Sequence, residues 1–228
     1  MTQEKNMKHD FLSVSEAKQR IQSGEFDRML TAFYGVPADA LMPYRNRICT
    51  AADLFAARYG DLPVRIFSVS GRTELGGNHT DHQNGLVLAG GISLDIIAVA
   101  AKTDEPVIRV QSEGYPEDTV SLDTLSVQDK EVGSSRALIR GTAARFTERG
   151  VPVGGFAAYT VSDVLKGSGL SSSAAFEVLI GTICNDFFAD GQFSPAELAM
   201  TAQYAENVHF GKPCGLWIRW RARWAVRI

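Results

Sequence analysis

The chain has 228 residues, of which 45% are apolar, enough for the core of one medium-sized domain. Its net charge of -3 argues against a nucleic-acid-binding surface, which would be basic. The three cysteines have no metal-ligand spacing, and we find no signal-peptide core and no apolar run of membrane-spanning length. These features favour a reduced, cytoplasmic protein that uses neither a membrane nor nucleic acid as a partner.

The first 60 residues are predicted to form an N-terminal helical segment. Ser15 is expected to cap a helix that begins at Glu16 and ends at Gly24. Gly35 should end a second helix, and Gly60 should end a third.

From residue 61 onward, strands and helices follow in mixed order. VRIFSVSGR alternates apolar and polar residues as a half-buried strand does, and LVLAGGISLDIIAVAAKT is apolar enough for one or two buried strands. VIRVQS and GGFAAYTVSD predict two more strands, and EDTVSLD predicts an edge strand. Helices are expected over 136–149, over AAFEVLIGTICNDFF, and over 195–210 with Ser194 as the cap. This order indicates an α+β fold rather than a regular alternation.

A Gly/Ser-rich segment, KGSGLSSS at 166–173, joins a predicted strand to a predicted helix. Glycines let the backbone approach a phosphate closely, and the N-terminus of the next helix presents unpaired N–H groups. One serine hydroxyl could ligate Mg²⁺. The segment fits neither the Walker A pattern nor G-x-G-x-x-G, so taken alone it is explained slightly better as a flexible turn before a core helix.

A second segment, SGRTELGGNHTDHQNG at 70–85, is dense in polar side chains and is flanked by predicted strands. It offers a guanidinium, two imidazoles, two carboxylates and three amides. Carboxylates and amides placed together can hydrogen-bond the vicinal hydroxyls of a sugar. Zinc is the alternative ligand, but His79 and His82 have no further histidine or cysteine near them in the sequence, which argues against it.

Together these segments resemble the GHMP kinases, and in particular the galactokinases. GRTELGGNHTDHQNG resembles the galactokinase signature G-R-x-N-L-I-G-E-H-T-D-Y, and KGSGLSSSAAFE resembles the second GHMP motif. QYAENVHFGKPCGL resembles the stretch that leads into the galactokinase catalytic aspartate, so the resemblance covers roughly residues 10–216. It implies a GHMP-kinase N-terminal domain of the ribosomal-protein-S5-domain-2-like type over 61–216. The implied reaction is ATP- and Mg²⁺-dependent phosphorylation of galactose, or a close analogue, at the anomeric hydroxyl.

The resemblance also implies roles for matching residues. Arg72 would stabilise charge in the transition state, and Ser173 and Glu206 would hold Mg²⁺. Asn78 replaces the family's glutamate and His82 its tyrosine, which leaves open an amino sugar or uronic acid of galactose shape. The sugar-binding residues are Asn78, His79, Thr80 and Asp81. The ATP-binding residues are Gly167, Ser168, Gly169, Leu170, Ser171, Ser172 and Ser173.

The last twelve residues, WIRWRARWAVRI at 217–228, contain all three tryptophans, four arginines and no acidic residue. The family continues here as Met-Asp-Gln-Met, with the aspartate as base, whereas this chain has Ile218 at that position. Deleting one base from a DNA that encodes the family pattern, with synonymous codons chosen to fit, yields the ten residues 217–226. We therefore expect an out-of-frame tail, a missing C-terminal domain, and a chain that is inactive and poorly folded. The alternative is a natural cationic amphipathic tail that binds membranes.

Two other function classes are compatible with these motifs. Another GHMP kinase, of the mevalonate or homoserine type, would lack the sugar-binding run at 78–81. A non-catalytic sensor of galactose and ATP would tolerate loss of the base but not loss of the C-terminal half. The sequence gives no indication of oligomeric state.

Overall fold

In the computed structural model, which describes residues 11–76, 88–164, 172–215 and 225–227, a mixed β-sheet lies between two layers of helices. Among the described residues the sheet has the strand order β4-β3-β5-β2-β1-β6. Within these ranges only β3 and β5 pair in parallel, and the other neighbouring strands are antiparallel. The strands are β1 (Arg65–Gly76), β2 (Leu88–Lys102), β3 (Val107–Ser112), β4 (Asp118–Ser121), β5 (Phe156–Ser162) and β6 (Ala225–Arg227).

The helices fall into two groups that are separated along the chain. The first group is α1 (Val14–Gln22), α2 (Asp27–Tyr34) and α3 (Met42–Tyr59), with a 3₁₀ turn at Ala38–Ala40. The second is α4 (Ser135–Glu148), α5 (Ser172–Phe188) and α6 (Pro195–Tyr204), and α6 continues into a π-helical turn at Ala205–Phe210. A further 3₁₀ turn, Asp129–Glu131, precedes α4.

Strand β2 is the centre of the core because its successive side chains point to opposite faces of the sheet. Ile97, Val99 and Ala101 pack into a cluster with α1, α2 and α3. Ile96, Ala98 and Ala100 pack into a second cluster with α4, α5 and α6. Both faces are therefore buried, which explains why β2 reads as one continuous apolar run in the sequence.

The predicted cap of the first helix was wrong. The cap is Ser13, whose hydroxyl accepts the N–H of Glu16, while the Glu16 carboxylate accepts the N–H of Ser13. This capping box requires a glutamate three residues after the serine, a spacing that Ser13 has and Ser15 lacks. Gly35 (φ 68°) and Gly60 (φ 86°) do end the next two helices, as predicted.

Most of the later predictions are confirmed. The apolar run at 86–103 yields one long strand, β2, and β4 lies at the edge of the sheet. Ser194 caps α6 through a second capping box with Glu197. In the parts of the chain that the structure describes, no helix is long and apolar enough to span a bilayer.

Candidate functional site

The two motif segments leave the sheet at the same edge. Strands β1 and β5 both run antiparallel to β2, which lies between them, so β1 and β5 point in the same direction. The polar segment begins at Ser70, inside β1 and opposite Asp95 of β2, and β1 continues to Gly76. β5 ends at Ser162, opposite the adjacent Ile96, and leads towards the Gly/Ser-rich segment. Two strand spacings therefore separate the start of the polar segment from the end of β5 by about 10 Å. That distance suits a sugar and a nucleotide phosphate bound side by side.

Several of the predicted site residues lie outside the described residues. These are Asn78, His79, Thr80 and Asp81 of the sugar-binding run, Gly167, Ser168, Gly169, Leu170 and Ser171 of the phosphate segment, and Ile218. The structure does describe Arg72, Ser172, Ser173 and Glu206.

Arg72 lies near the end of β1, next to an irregularity in the sheet. The pairing of β1 with β2 shifts register between Ser70 and Arg72, as it does at a β-bulge, which redirects the side chains that follow. The Arg72 side chain is buried, with 3% of the residue exposed. The Arg72 guanidinium is therefore held in a protein environment rather than in bulk water, as suits a side chain with a fixed role.

Gly71, inside this irregularity, lies against the residues that follow β5. A Cβ atom at Gly71 would lie 3.1 Å from Val164 Cγ2 and 3.1 Å from Ile92 Cδ1. Val164 is the last described residue before the Gly/Ser-rich segment, which begins two positions later at Lys166. The absence of a side chain at Gly71 thus lets the end of the β5 segment pack closely against β1.

Helix α5 begins at Ser172, two residues earlier than the predicted start at Ala174. Ser172 and Ser173 therefore belong to its first turn, where backbone N–H groups have no partner within the helix. Ser173 is exposed, so its hydroxyl is accessible to a ligand. These features make the N-terminus of α5 a suitable place for an anion.

Ser173 and Glu206 lie about equally far along two successive helical segments that a short connection joins. The amide of Asn185 donates to the carbonyl of Phe193 (3.0 Å) and its oxygen accepts the Phe193 N–H (2.9 Å), which closes a short connection between α5 and α6. Gly181 then faces Leu198, since a Cβ at Gly181 would lie 3.6 Å from Leu198 Cδ2. Ser173 precedes Gly181 by eight residues and Glu206 follows Leu198 by eight. Each therefore lies about 12 Å from that contact, measured along its own helix.

The π-helical turn fixes the backbone of Glu206. The Glu206 carbonyl accepts the N–H groups of Gly211 and of Lys212 (3.1 Å), and Glu206 itself is 5% exposed. On the other side, α4 approaches so closely that a Cβ at Gly141 would lie 2.8 Å from the Cα of Ala205. Single π turns occur mostly at functional positions, and no local signal in the sequence announced this one.

His209 lies in the same turn and is also buried. Its surroundings include Tyr204, whose ring centroid is 5.9 Å away, and α4 at Gly141. Burial, reinforced by the Arg140 guanidinium, lowers the pKa of His209 below its ordinary value, so the imidazole is neutral at pH 7. Within the described ranges no three His, Cys, Asp or Glu side chains cluster as a metal site.

A buried polar cluster around Asp95 lies beside the site and was missed by the sequence analysis. Asp95 has no exposed surface, and its carboxylate accepts hydrogen bonds from the hydroxyls of Tyr34 (2.8 Å) and Ser68 and from the Arg47 guanidinium. Burial and the Asp95 charge raise the pKa of Tyr34, so its hydroxyl stays a donor. The sequence did contain a signal for this cluster, because a single carboxylate in an apolar strand requires hydrogen-bond donors or a cation as partners.

Two family models match separate parts of the chain. Residues 53–102 match the galactokinase galactose-binding signature, and residues 137–217 match the GHMP kinases N-terminal domain.

The chain is similar to galactokinase of Streptomyces coelicolor, with 32% identity over 167 residues, 73% of this chain and 43% of the relative. It is 29% identical to galactokinase of Clostridium tetani over 163 residues, 71% of this chain and 41% of the relative. The chain therefore spans less than half the length of these relatives.

Solved structures give the same fold. Lactococcus lactis galactokinase complexed with galactose superposes with a TM-score of 0.68 at 26% identity, over 77% of this chain and 47% of that one. Methanococcus jannaschii mevalonate kinase, at 16% identity and a TM-score of 0.58 over 72% of this chain and 52% of that one, shows the fold alone. The expected α+β fold of a GHMP-kinase N-terminal domain is confirmed.

Proposed function

We propose that this chain, which belongs to the GHMP kinases, supplies the N-terminal domain of a kinase that phosphorylates galactose or a galactose-like sugar at its anomeric hydroxyl, using ATP. The observation that carries this proposal is that β1 and β5 run in the same direction, and that the polar segment with the sugar signature begins in β1 beside the end of β5, which leads towards the Gly/Ser-rich segment. The Lactococcus lactis relative, which was solved with galactose, supports the choice of sugar.

The chain's own residues would act mainly by positioning and by electrostatics, as is usual for phosphoryl transfer. Asn78, His79, Thr80 and Asp81 would hydrogen-bond the sugar hydroxyls and orient the anomeric oxygen. The N–H groups at the start of α5, together with residues 167–173, would bind the ATP phosphates. Arg72, buried at the β1 irregularity, would stabilise the negative charge that moves between the reacting oxygens.

Ser173 and Glu206 fit a Mg²⁺ site, because both offer oxygen and both lie about eight residues along their helices from the contact between Gly181 and Leu198. A magnesium ion usually takes one or two protein ligands and completes its shell with phosphate oxygens and water. When bound, it would neutralise charge on the ATP phosphates.

We further propose that residues 1–60 form a helical segment, 61–216 an incomplete kinase domain, and 217–228 an out-of-frame tail. Support comes from the GHMP model, whose match stops at residue 217, where the tail begins. Ile218 would occupy the position of the base and cannot accept a proton from the sugar. Loss of a general base typically costs about 10²–10⁴-fold in rate, so we expect this chain itself to be inactive.

Sequencing the coding DNA across codon 216 tests the tail, and restoring one base should recover the family pattern. ADP release from the unaltered and the restored proteins would then be followed with galactose, galactosamine, galacturonate, mevalonate and homoserine. We expect turnover with a galactose-shaped sugar in the restored protein and none in the unaltered chain. Turnover only with mevalonate or homoserine would refute the sugar assignment, and binding of both ligands without any turnover would favour a sensor.

A further inference from the structure

We propose that Arg47, on α3, is a positioning residue for the phosphate-binding segment: it holds the end of β5 in place through Asp163. This inference rests on the proposed ATP-binding function. None of the motifs includes Arg47, and it lies more than one hundred residues before the segment that it would position.

One guanidinium joins two strands. Arg47 Nη1 contacts the carboxylate of Asp95 and lies 3.0 Å from the Asp163 carboxylate. Arg47 Nη2 donates to the carbonyls of Asp95 (3.0 Å) and Val161 (3.3 Å). The Asp95 carbonyl also accepts the N–H of Asp163 (3.0 Å). Arg47 thus contacts β2 at Asp95 and the last residues of the β5 segment at Val161 and Asp163.

This contact lies at the level where the polar segment begins in β1 and where β5 ends. Asp95 is paired with Ser70, the last residue before the irregularity that leads to Arg72. The next residue of β2, Ile96, is paired with Ser162, the last residue of β5. Beyond this level the described part of β5 has no ladder to hold it, so Asp163, through Arg47, and the buried Val164, whose N–H donates to the Ser162 hydroxyl (3.1 Å), are the last points at which side chains fix the chain before the Gly/Ser-rich segment.

The two carboxylates on Arg47 have different roles. Asp95 is fully buried, so its pairing with Arg47 is needed for the core. The Asp163 side chain is 47% exposed, and an ion pair in that environment adds little to stability. The ion pair between Arg47 and Asp163 instead restricts the direction in which the chain leaves β5. Removing it should therefore affect nucleotide binding more than unfolding.

The same helix offers a matched control. Arg58 lies near the C-terminal end of α3, away from β5, and pairs with Glu117 at 3.2 Å. The Arg58 side chain is half exposed. Asp163→Asn, Arg47→Met and Arg58→Met would be compared with the unaltered 228-residue chain. Titration with MgATP would give Kd, and thermal unfolding would give Tm.

We expect Asp163→Asn to raise the Kd for MgATP about fivefold with almost no change in Tm, and Arg58→Met to change neither. Arg47→Met should raise Kd and also lower Tm, because Asp95 loses its cation. An unchanged Kd in Asp163→Asn would overturn the proposal, as would an equal effect of Arg58→Met.

Hydrogen–deuterium exchange without nucleotide separates this proposal from the proposed function. Faster exchange in peptides covering 156–164 of Asp163→Asn, with unchanged exchange within α6, supports the positioning role even if the unaltered chain binds no ATP. Unchanged exchange at 156–164 overturns it. Failure of the unaltered chain to bind MgATP would count against the proposed function alone.

Discussion

Replacing Gly141 by alanine should loosen the contact between α4 and the π turn that carries Glu206. Alanine normally stabilises a helix interior by about 0.5–1 kcal/mol relative to glycine. At Gly141, however, the new Cβ would lie 2.8 Å from Ala205 Cα, 2.9 Å from Ala205 Cβ and 3.0 Å from His209 Cγ. The first of these atoms belongs to the backbone, so a rotamer change cannot relieve the clash.

Carbon atoms pack best at about 3.5–4.0 Å, so the π turn must move away from α4 by roughly 0.7 Å. Overpacking of this kind costs about 1–3 kcal/mol. After the gain in helix propensity, a net destabilisation of about 0.5–2 kcal/mol remains, which corresponds to a fall in Tm of about 2–6 °C for a chain of this size. Because Glu206 is next to Ala205, the displacement should also weaken binding of MgATP.

Gly181→Ala is the matched control, since this glycine also lies in a buried helix. Its Cβ would meet only Leu198 Cδ2, at an ordinary 3.6 Å, so the propensity gain should raise Tm by about 1–3 °C. Differential scanning calorimetry of both variants shows directly whether each substitution raises or lowers Tm. A similar rise in Tm for Gly141→Ala and Gly181→Ala would refute the argument from the close approach at Ala205.

Three further predictions follow from single contacts. Glu206→Gln should weaken the Mg²⁺-dependent part of ATP binding and leave galactose binding nearly unchanged. Calorimetric titration with and without Mg²⁺ would measure both affinities. Equal losses of affinity for ATP and for galactose would contradict the Mg²⁺ assignment. Asp95→Asn should destabilise the chain by about 3–5 kcal/mol in urea unfolding, because Arg47 loses its buried partner; a loss below 1 kcal/mol would show that Asp163 compensates. The pKa of Glu197 is lowered from 4.5 to about 2 by hydrogen bonds from the backbone and hydroxyl of Ser194 and by Arg149. The contribution of the Glu197 carboxylate to stability is therefore complete above about pH 4.5 and is lost as the pH falls towards 2. The Tm difference between the unaltered chain and Glu197→Gln should therefore shrink over that interval, and a difference that stays constant would exclude this linkage.

Local signals predicted the elements well. Gly35, Gly60 and Ser194 fix helix ends through backbone geometry and capping, which act over a few residues and are therefore visible in the sequence. The prediction of Ser15 as the cap was wrong because a capping box needs a glutamate three residues after the serine, and the residue three positions after Ser15 is a lysine. The motif segments were found because their residue types are unusual, although most of their residues lie outside the described parts of the chain.

Contacts between distant segments could not be predicted. Arg47 and Asp95 are 48 residues apart, and nothing in the sequence around Arg47 distinguishes it from the other arginines of α3. The close approach of Gly141 to Ala205 depends on how α4 crosses the last turn after α6. The change from an α-helix to a π turn at Ala205 lies at the same contact with α4, whereas periodicity alone predicted one uniform helix over 195–210.

The order of strands in the sheet also affects how the chain folds during synthesis. One side of β2 is completed by β1, its neighbour in sequence, but the other side must wait for β5, whose last residue follows the end of β2 by sixty positions. At the usual 5–20 residues per second, the apolar edge at Ile96–Lys102 lacks its partner for about 3–12 s on the ribosome. An unpaired edge of this kind is a template for wrong pairing between nascent chains. We therefore expect the yield of folded protein in cells to depend on translation speed over residues 103–162 and on chaperones that cover exposed strands.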